Sequence, residues 1–337
     1  MKHRHRLTAS ALAILALTLA APASADPPAQ HQRSLDLQGH RGARGLRPEN
    51  TLAAFGKALQ IGVTTLELDT GVTKDGAVVV SHERRISTLE CLDTGGNSYV
   101  GMLVKDLTLA QIKTLDCGTR TPPNPATDPF VGTQEAVPGT RMPTLGEVFE
   151  LADRYGADHV RFNIETKLDP TLPGDTVDPA AFVRAVTGVI AEHHKVRRSL
   201  LQSFDWRTLV ESKRVLPSLR TVALAQLPTI YPGTPWTAGV PIGADAWSGG
   251  LAGAVKSIGA RVLSPRHGDL NDSLIAAAKK QGLLVVPWTV NDAPTMASLI
   301  DRGVDGIISD YPDVLREVAA AKGLKLPARY ASPFDTE

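Results

Sequence analysis

Three acidic side chains and one lysine occur at spacings that suit ligand binding on a β-strand. Glu67 and Asp69 are two residues apart, and so are Glu165 and Lys167. In a strand this spacing turns both side chains of a pair to the same face. Three carboxylates brought together would raise one another's pKa values unless a cation joined them. The spacing therefore predicts a divalent metal held by Glu67, Asp69 and Glu165, and all-oxygen ligation favours Ca²⁺ or Mg²⁺ over Zn²⁺.

Two histidines and an arginine follow apolar runs elsewhere in the chain. His40 and Arg41 come directly after one run, and His82 ends another. A hard metal ion together with Arg41 and Lys167 would bind a phosphoryl group and stabilise the charge that develops on its non-bridging oxygens. Two histidines can divide the general acid and base roles between them. The combination predicts cleavage of a phosphodiester.

Each of these features has a simpler explanation when it is taken alone. Glu67 and Asp69 could form the solvated face of a strand, and Glu165 and Lys167 could form a surface ion pair. A lone histidine is more often structural than catalytic. That structural interpretation is kept for His3, His5, His31, His159, His193, His194 and His267. The prediction of an active site depends on the remaining residues meeting at neighbouring strand ends.

Short apolar runs alternate with helical patterns along most of the chain. Eight runs predict strands, over residues 35–39, 65–69, 161–165, 200–204, 221–226, 261–264, 284–290 and 306–309. Helical patterns cover residues 51–61, 145–155, 179–193, 273–281 and 294–302. Near-continuous apolar strands are expected in a parallel sheet that is covered on both faces. The alternation predicts an α/β protein, a (β/α)₈ TIM barrel over residues 35–320, with catalytic groups at the carboxyl ends of its strands.

Residues 84–141 interrupt the alternation. This segment is too long for an ordinary loop, and we interpret it as an inserted lobe on the barrel. It contains Cys91 and Cys117, the chain's two cysteines. In an exported protein an even pair usually forms a disulfide, and this one would close a loop of about 25 residues, worth ~3 kcal/mol. A metal-binding pair and two free thiols are the alternatives.

The first residues have the pattern of an export signal. A basic start, an apolar run and Ala23-Ser24-Ala25 follow one another in the order of a Sec signal peptide. The apolar run is shorter than the roughly 20 residues that a membrane-spanning helix needs. We therefore predict a signal peptide over residues 1–25, cleavage after Ala25 and secretion. A flexible lead-in over 26–34 and a C-terminal tail over 321–337 would flank the barrel.

The charge of the chain excludes some classes of partner. The whole chain has 36 Lys and Arg against 35 Asp and Glu. Cleavage would remove Lys2, Arg4 and Arg6 and no acidic residue, which leaves a net charge near −2. This balance does not favour a nucleic acid or an anionic membrane surface. We expect a small-molecule substrate, no stable membrane insertion and no nucleic acid, and the sequence does not indicate a protein partner.

Several motifs of the chain, taken together, resemble the glycerophosphodiester phosphodiesterase family, in its secreted bacterial form. The resemblance extends from about Gly39 to Pro312, and its most specific part is His-Arg-Gly, six residues, then Glu-Asn-Thr. The matching segments are His40-Arg41-Gly42-Ala43, Pro48-Glu49-Asn50-Thr51, Glu67-x-Asp69, Thr73-Lys74-Asp75-Gly76, Val80-Ser81-His82, Glu165-x-Lys167, Ser203-Phe204, Trp288-Thr289-Val290-Asn291 and Gly306-Ile307-Ile308-Ser309-Asp310-Tyr311-Pro312. The family is a (β/α)₈ barrel with an inserted region after the second histidine.

The resemblance implies a reaction and a role for each residue. A glycerophosphodiester would be converted to glycerol 3-phosphate and an alcohol such as choline or ethanolamine. One histidine would deprotonate water or the glycerol 2-hydroxyl, and the other would protonate the leaving alkoxide. The implied general acid and base are His40 and His82, the metal ligands are Glu67, Asp69 and Glu165, and the phosphate-binding residues are Arg41 and Lys167. The resemblance also implies that Glu49 is a further ligand or orients Arg41, and that Trp288 forms an apolar wall beside the glycerol.

One residue departs from the family pattern. Glu83 follows the second histidine where the family usually has Asp, and the longer side chain could shift the substrate preference. The nearest alternative functions are a phospholipase D-type enzyme acting on lysophospholipid or sphingomyelin, and a hydrolase of glycerol-phosphate cell-wall polymers. A non-catalytic binding barrel is the third alternative, but it would be expected to have lost a histidine or a metal ligand, and none is missing.

Overall fold

The computed structural model describes Met1 and residues 33–334. The predicted signal peptide apart from Met1, the predicted lead-in up to residue 32 and the last three residues of the chain lie outside the described residues. The division into signal peptide, lead-in, barrel and tail therefore stays a prediction.

Parallel strands form the barrel that the sequence predicts. In chain order the described strands are β1 (Asp36–Gly39), β2 (Thr65–Val72), β3 (Val78–Val80), β4 (Arg161–Thr166), β5 (Ser199–Ser203), β6 (Arg220–Ala225), β7 (Val262–Pro265), β8 (Leu284–Val285) and β9 (Gly306–Ser309). The hydrogen-bonded order is β8-β7-β6-β5-β4-β2-β1-β9, parallel throughout, and β3 pairs antiparallel with β2 outside this path. The eight parallel strands form a nearly closed barrel, and the predicted fold class is confirmed.

The seam between β8 and β9 closes the barrel with separate hydrogen bonds instead of a continuous ladder. Val290 N donates to Ile308 O at 3.0 Å, and Ile308 N donates to Pro287 O at 3.0 Å. Asp305 N also donates to Val285 O at 2.8 Å. The prediction of a strand over 284–290 is wrong beyond Val285, because Pro287 has no amide hydrogen with which to continue a ladder.

The helices of residues 33–334 lie between the strands. They are α1 (Leu52–Ile61), α2 (Leu109–Ile112), α3 (Leu145–Arg154), α4 (Pro179–Glu192), α5 (Trp206–Val215), α6 (Gly250–Ser257), α7 (Asp272–Lys280), α8 (Ala293–Asp301) and α9 (Pro312–Ala321). Thr51 and Thr144 cap α1 and α3 with their side-chain oxygens, which satisfies amides that have no partner within the helix. The five predicted helices are present within one residue at each end. In this part of the chain none of the helices has the length and apolar character needed to span a bilayer.

The barrel interior changes from apolar to polar along the strands. Its lower layer contains a buried cluster contributed by five strands or strand extensions, Leu200, Val222, Val262, Val286 and Ile308. Above it, the Asn163 side-chain amide donates to Gln38 Oε1 and to Gln202 Oε1, both at 2.9 Å. Gln202 Nε2 in turn donates to Glu67 Oε1 at 2.5 Å. A polar layer thus supports the carboxyl ends of the strands, where the predicted site residues lie.

The segment 84–141, which the sequence predicts as an inserted lobe, has an apolar cluster of its own. Cys91 and Cys117 are both buried and form a disulfide. They pack with Val79 of β3 and with a set of buried apolar residues of the segment and its flank, Ile86, Val104, Leu107, Ile112, Leu115 and Met142. The disulfide therefore lies against the strand that leads to His82.

Candidate active site

A cavity of about 260 Å³ opens at the carboxyl ends of the barrel strands. It is lined by eight of the nine residues predicted to bind metal, bind substrate or transfer protons, namely His40, Arg41, Glu67, Asp69, His82, Glu165, Lys167 and Trp288. Glu49, the ninth, contacts Arg41. Residues far apart in the sequence therefore converge on one site. Glu67 and Asp69 are almost completely buried, so the alternative that they form a solvated strand face is wrong.

A tight turn after β1 places His40 and Arg41. Arg41 has a φ of 51° and Gly42 has a φ of 91°. This left-handed conformation costs a non-glycine residue about 1–2 kcal/mol. At Gly42 a Cβ would also lie 2.6 Å from the backbone of Ala54 in α1. The Arg41 amide donates to Glu67 Oε2 at 2.9 Å, which compensates part of the strain and ties the turn to the acidic residues.

The three predicted metal ligands form one cluster. Asp69 of β2 and Glu165 of β4 are direct neighbours in the sheet register, and Glu67 lies one inward position earlier on β2. Each of the three offers a carboxylate oxygen within 4.8 Å of the other two. Asn50 Nδ2 also donates to Asp69 Oδ2 at 3.0 Å, which fixes the orientation of that carboxylate.

The electrostatics of this cluster favour a bound cation. Burial and the neighbouring Asp69 raise the pKa of Glu67 well above its usual range, and burial raises the pKa of Glu165 to about 7. Burial would also raise the pKa of Asp69, but the charges of Lys167 and Arg41 hold it below its usual value. A cation bound between the carboxylates would oppose these upward shifts and favour the ionised form of each acid. A divalent ion that prefers oxygen ligands fits this donor set.

Basic side chains surround the acidic cluster. Arg41 donates from Nη1 to Glu49 Oε1 at 2.5 Å, and its Nε lies 3.2 Å from Asp69 Oδ2. Lys167 Nζ lies 2.9 Å from Glu165 Oε1 and 3.6 Å from Asp69 Oδ1. The alternative of a surface ion pair for Glu165 and Lys167 is wrong, since both line the cavity and are largely buried.

His40 is oriented by an acid and an amide that follow β9 and the extension of β8. Its Nδ1 lies 2.6 Å from Asp310 Oδ1. Asn291 Nδ2 donates to Asp310 Oδ2 at 2.7 Å, and the Asp310 amide donates back to Asn291 Oδ1 at 3.0 Å. With Nδ1 occupied, Nε2 faces Glu67, 4.0 Å from Oε2. Burial lowers the pKa of His40 although Asp310 opposes this effect, so the ring is neutral at pH 7.

His82 has a carboxylate partner of its own. Its Nδ1 lies 2.8 Å from Oε1 of Glu83, the next residue in the chain. Burial and the charges of Arg41 and Lys167 lower the pKa of His82 to about 4. Both histidines that line the cavity are therefore neutral imidazoles paired with a carboxylate at Nδ1. Such a ring accepts a proton at Nε2 and is stabilised by its partner once it is charged.

A model of the glycerophosphoryl diester phosphodiesterase family matches residues 40–314 of the chain. The chain belongs to this family. It is an enzyme, a phosphoric diester hydrolase, as the sequence predicts.

Relatives and solved structures agree with the family assignment. A glycerophosphodiester phosphodiesterase of Caldanaerobacter subterraneus subsp. tengcongensis is 32% identical over 277 residues, which covers 82% of this chain and 94% of the relative. One from Bacillus subtilis (strain 168) is 32% identical over 284 residues, covering 83% and 84%. A solved structure from Silicibacter pomeroyi DSS-3, named for the same activity, superposes with a TM-score of 0.76 at 32% identity, covering 88% of this chain and 96% of that one.

A further solved structure shares the fold of this family at lower identity. The phosphodiesterase of Oleispira antarctica in complex with sn-glycerol-3-phosphate has a TM-score of 0.63 at 23% identity, and the match covers 84% of this chain and 96% of that one. The barrel fold is therefore common to proteins whose sequences differ substantially from this one.

Several residues of this family member's site were not assigned a role from the sequence. Asp310 and Asn291 lie within matching motifs, but nothing in the motif shows that they orient His40. Arg44 lines the cavity and contacts Glu49 through Nε. Phe204 also lines the cavity, and its ring meets that of Trp288 edge to face with centroids 5.4 Å apart. A polar residue directly after a predicted strand is the signal that could have indicated Asp310.

Proposed function

We propose that the protein hydrolyses glycerophosphodiesters to sn-glycerol 3-phosphate and an alcohol, and that it requires a divalent metal ion, Ca²⁺ or Mg²⁺. One observation supports this proposal most strongly. Three buried carboxylates, two histidines that each pair with a carboxylate, and the basic side chains of Arg41 and Lys167 converge on one cavity of about 260 Å³. Each of these groups has a distinct use in phosphodiester hydrolysis. The family assignment supplies the glycerol-based substrate.

The acidic residues hold the metal ion in this proposal. Glu67, Asp69 and Glu165 are its ligands, and when bound it neutralises charge on the non-bridging phosphate oxygens. Arg41 and Lys167 bind the same phosphate from the sides. Against the effect of burial, Arg41 and Arg44 lower the pKa of Glu49 to about 2. Its carboxylate stays ionised and orients the Arg41 guanidinium group.

The two histidines transfer the protons. One accepts a proton at Nε2 from the nucleophile, which is water or the glycerol 2-hydroxyl. The other first takes up a proton from solvent at Nε2, and as an imidazolium it donates that proton to the leaving alkoxide. Asp310 and Glu83 hold the His40 and His82 rings with Nδ1 turned away from the substrate. These contacts leave Nε2 of each ring for the reacting atoms and stabilise the imidazolium form once it is produced.

Trp288 and Phe204 form the apolar wall beside the glycerol. The Trp288 indole is fixed because its Nε1 donates to Ser264 O at 2.9 Å, and the Phe204 ring packs against it. Rigid aromatic rings give a bound carbon chain a large contact area with little loss of conformational entropy. The small volume of the cavity favours a deacylated substrate over one that carries an acyl chain.

A substrate panel tests the proposed activity. With Mg²⁺ or Ca²⁺ present, we expect glycerophosphocholine and glycerophosphoethanolamine to yield glycerol 3-phosphate, measured by coupled oxidation of this product. Lysophosphatidylcholine, sphingomyelin and a glycerol-phosphate polymer at the same concentration should react at least tenfold more slowly. Faster turnover of a lysophospholipid or of the polymer would replace this proposal with the corresponding alternative function.

We also propose that the protein is exported and cleaved after Ala25. The disulfide of Cys91 and Cys117 supports export, since such bridges persist mainly in oxidising compartments. Expression of the full chain in a secreting host should place it in the culture medium. N-terminal sequencing of that protein should begin at Asp26, whereas an intact Met1 in the cell extract would contradict the proposal.

A further inference from the structure

The main chain that carries His82 donates two hydrogen bonds to one carboxyl group of the neighbouring segment, that of Glu90. Glu90 Oε1 accepts hydrogen bonds from the His82 amide at 2.8 Å and from the Glu83 amide at 3.2 Å. Its Oε2 lies 2.9 Å from the Ser81 hydroxyl, which is also 3.0 Å from the carbonyl oxygen of Glu83. One side chain therefore contacts three consecutive residues after β3, while the Ser81 amide donates separately to the carbonyl oxygen of Asp69 at 3.1 Å. None of these bonds belongs to a helix or a strand ladder.

The surroundings of Glu90 favour a neutral carboxyl group. The residue is buried, and burial together with Glu49 raises its pKa to about 8. A protonated Oε2 can donate to the Ser81 hydroxyl, which can then donate to the Glu83 carbonyl oxygen. Every polar atom of this group has a partner in that arrangement, and no uncompensated charge is buried.

Glu90 is itself held by the disulfide. It precedes Cys91, and the amides of both residues donate to the carbonyl oxygen of Ser87 at 3.1 and 2.9 Å. On the other side, Leu92 and Asp116 exchange two backbone hydrogen bonds of 2.7 and 2.9 Å. The Cys91–Cys117 bridge lies between these contacts in the buried apolar cluster. The Glu90 backbone is thus fixed at one end of the segment, and its side chain reaches the loop of His82.

Removing this carboxyl group would release the loop without deleting a residue that lines the cavity. The His82 and Glu83 amides would lose their partner in a partly buried place, which destabilises this conformation of the loop for as long as they stay unpaired. The loop would relax to find other partners, and the His82 ring would move with it. A displacement of about 1 Å at a reacting group can lower a rate by about 10²-fold.

We propose that Glu90 is a positioning residue for the hydrolysis: its carboxyl group, fixed beside the disulfide, binds the amides of residues 82 and 83 and the Ser81 hydroxyl, and so holds this loop with His82 facing the substrate. The proposal rests on the proposed function only in that His82 transfers a proton. Glu90 does not itself line the cavity, and its described side-chain hydrogen bonds go to residues 81–83 and not to the three acidic ligands.

Three variants of Glu90 and one neighbour test this role. With glycerophosphocholine as substrate, Glu90→Ala should lower kcat by about 10–100-fold, a smaller loss than that of a proton-transferring group, and leave KM within about threefold. Glu90→Gln should stay within about threefold of the wild type, because its amide keeps the acceptor and donates to Ser81. Leu89→Ala is the matched control, since Leu89 is 41% exposed next in the chain, and it should change neither constant. Glu90→Met keeps the volume without the acceptor and replaces the alanine variant if that one does not fold.

Amide NMR measures the contact without turnover. The His82 and Glu83 amide protons should shift upfield in Glu90→Ala or Glu90→Met and remain in place in Glu90→Gln and Leu89→Ala. Unshifted amides, a wild-type kcat in the alanine or methionine variant, or a glutamine variant as impaired as alanine would each overturn the proposal. If the wild-type protein hydrolysed no glycerophosphodiester, the proposed function would fail, and the amide shifts would still decide whether Glu90 holds the loop.

Discussion

Replacement of either His40 or His82 with alanine is expected to lower kcat on glycerophosphocholine by about 10²–10⁴-fold, the usual contribution of a general acid or base. Each ring lines the cavity and has a carboxylate at Nδ1, so each loss removes one proton transfer and leaves the other group in place. The fold should not change, because neither side chain is part of an apolar cluster. The measurement is kcat with saturating metal, together with a circular dichroism spectrum.

A substrate with a better leaving group can show which histidine is the general acid and which is the general base. A glycerophosphodiester whose alcohol is p-nitrophenol needs little protonation as it leaves. On this substrate the variant that lacks the general acid should recover most of its activity, and the variant that lacks the base should not. His159→Ala is the matched control, since His159 is exposed and does not line the cavity. A His40 or His82 variant that retains activity within threefold of the wild type on glycerophosphocholine would show that the assignment is wrong.

Removal of the metal ion is expected to abolish activity. Treatment with EDTA should reduce turnover to background, and an excess of Mg²⁺ or Ca²⁺ should restore it. Glu67→Gln should lose activity that no metal restores, because one of three carboxylate ligands is gone. Glu150→Gln, an exposed change on α3, should behave like the wild type throughout. Full activity in the chelator would exclude the metal site.

The same carboxylates make the metal-free protein sensitive to pH in a defined direction. The pKa of Glu67 is raised well above its ordinary value of 4.5, so the folded chain retains a proton that the unfolded chain has lost. Stability therefore falls as the pH rises from about 4.5 through the folded pKa. The Glu67→Gln variant has no carboxyl group to ionise at this position, so its stability should not fall in this way as the pH rises. At pH 8 in EDTA the variant should melt at a higher temperature than the wild type. Added metal should raise the melting temperature of the wild type more than that of the variant.

Metal affinity should follow the opposite trend with pH. Ligands must be deprotonated to bind a metal ion, and the pKa of Glu165 is about 7. The metal concentration required for half-maximal activity should therefore decrease between pH 6 and pH 8. An increase over that range would contradict the ligand assignment of Glu67 and Glu165.

The strand ends were predictable because parallel strands have a simple sequence pattern. Residues such as Leu66, Leu68 and Ile164 are apolar within runs that end in polar side chains, and strand periodicity then places Glu67 and Asp69 on one face. Strand β8 was predicted too long, since a run of apolar residues does not reveal where Pro287 ends the ladder. Helix α5 was missed because six of the ten side chains from Trp206 to Val215 are charged or carry a hydroxyl, although Asp205 is a recognisable N-cap.

The contacts that orient the site depend on tertiary structure. Asp310 contacts His40 across 270 positions of sequence and Gln202 contacts Glu67 across 135. Neither pair has a spacing that a local pattern could detect. Glu90 lies in residues 84–141, which interrupt the alternation of strands and helices. No periodic pattern in that segment predicts which side chains point inward. The sequence thus predicts the residues that perform the chemistry, but not the residues that orient them, such as Asp310, Gln202 and Glu90.

The seam between β8 and β9 divides the site into two halves of unequal local stability. The acidic ligands lie on β2 and β4, strands of eight and six residues with continuous ladders. The acid and amide that orient His40 follow the separate hydrogen bonds of the seam, which can open without unfolding the rest of the barrel. On warming, local opening there would separate Asp310 from His40 while the metal ligands stay in place. Heat inactivation of this enzyme would then occur at a lower temperature than global unfolding. The highest working temperature would be limited by the short strand β8 and by Pro287, which follows it.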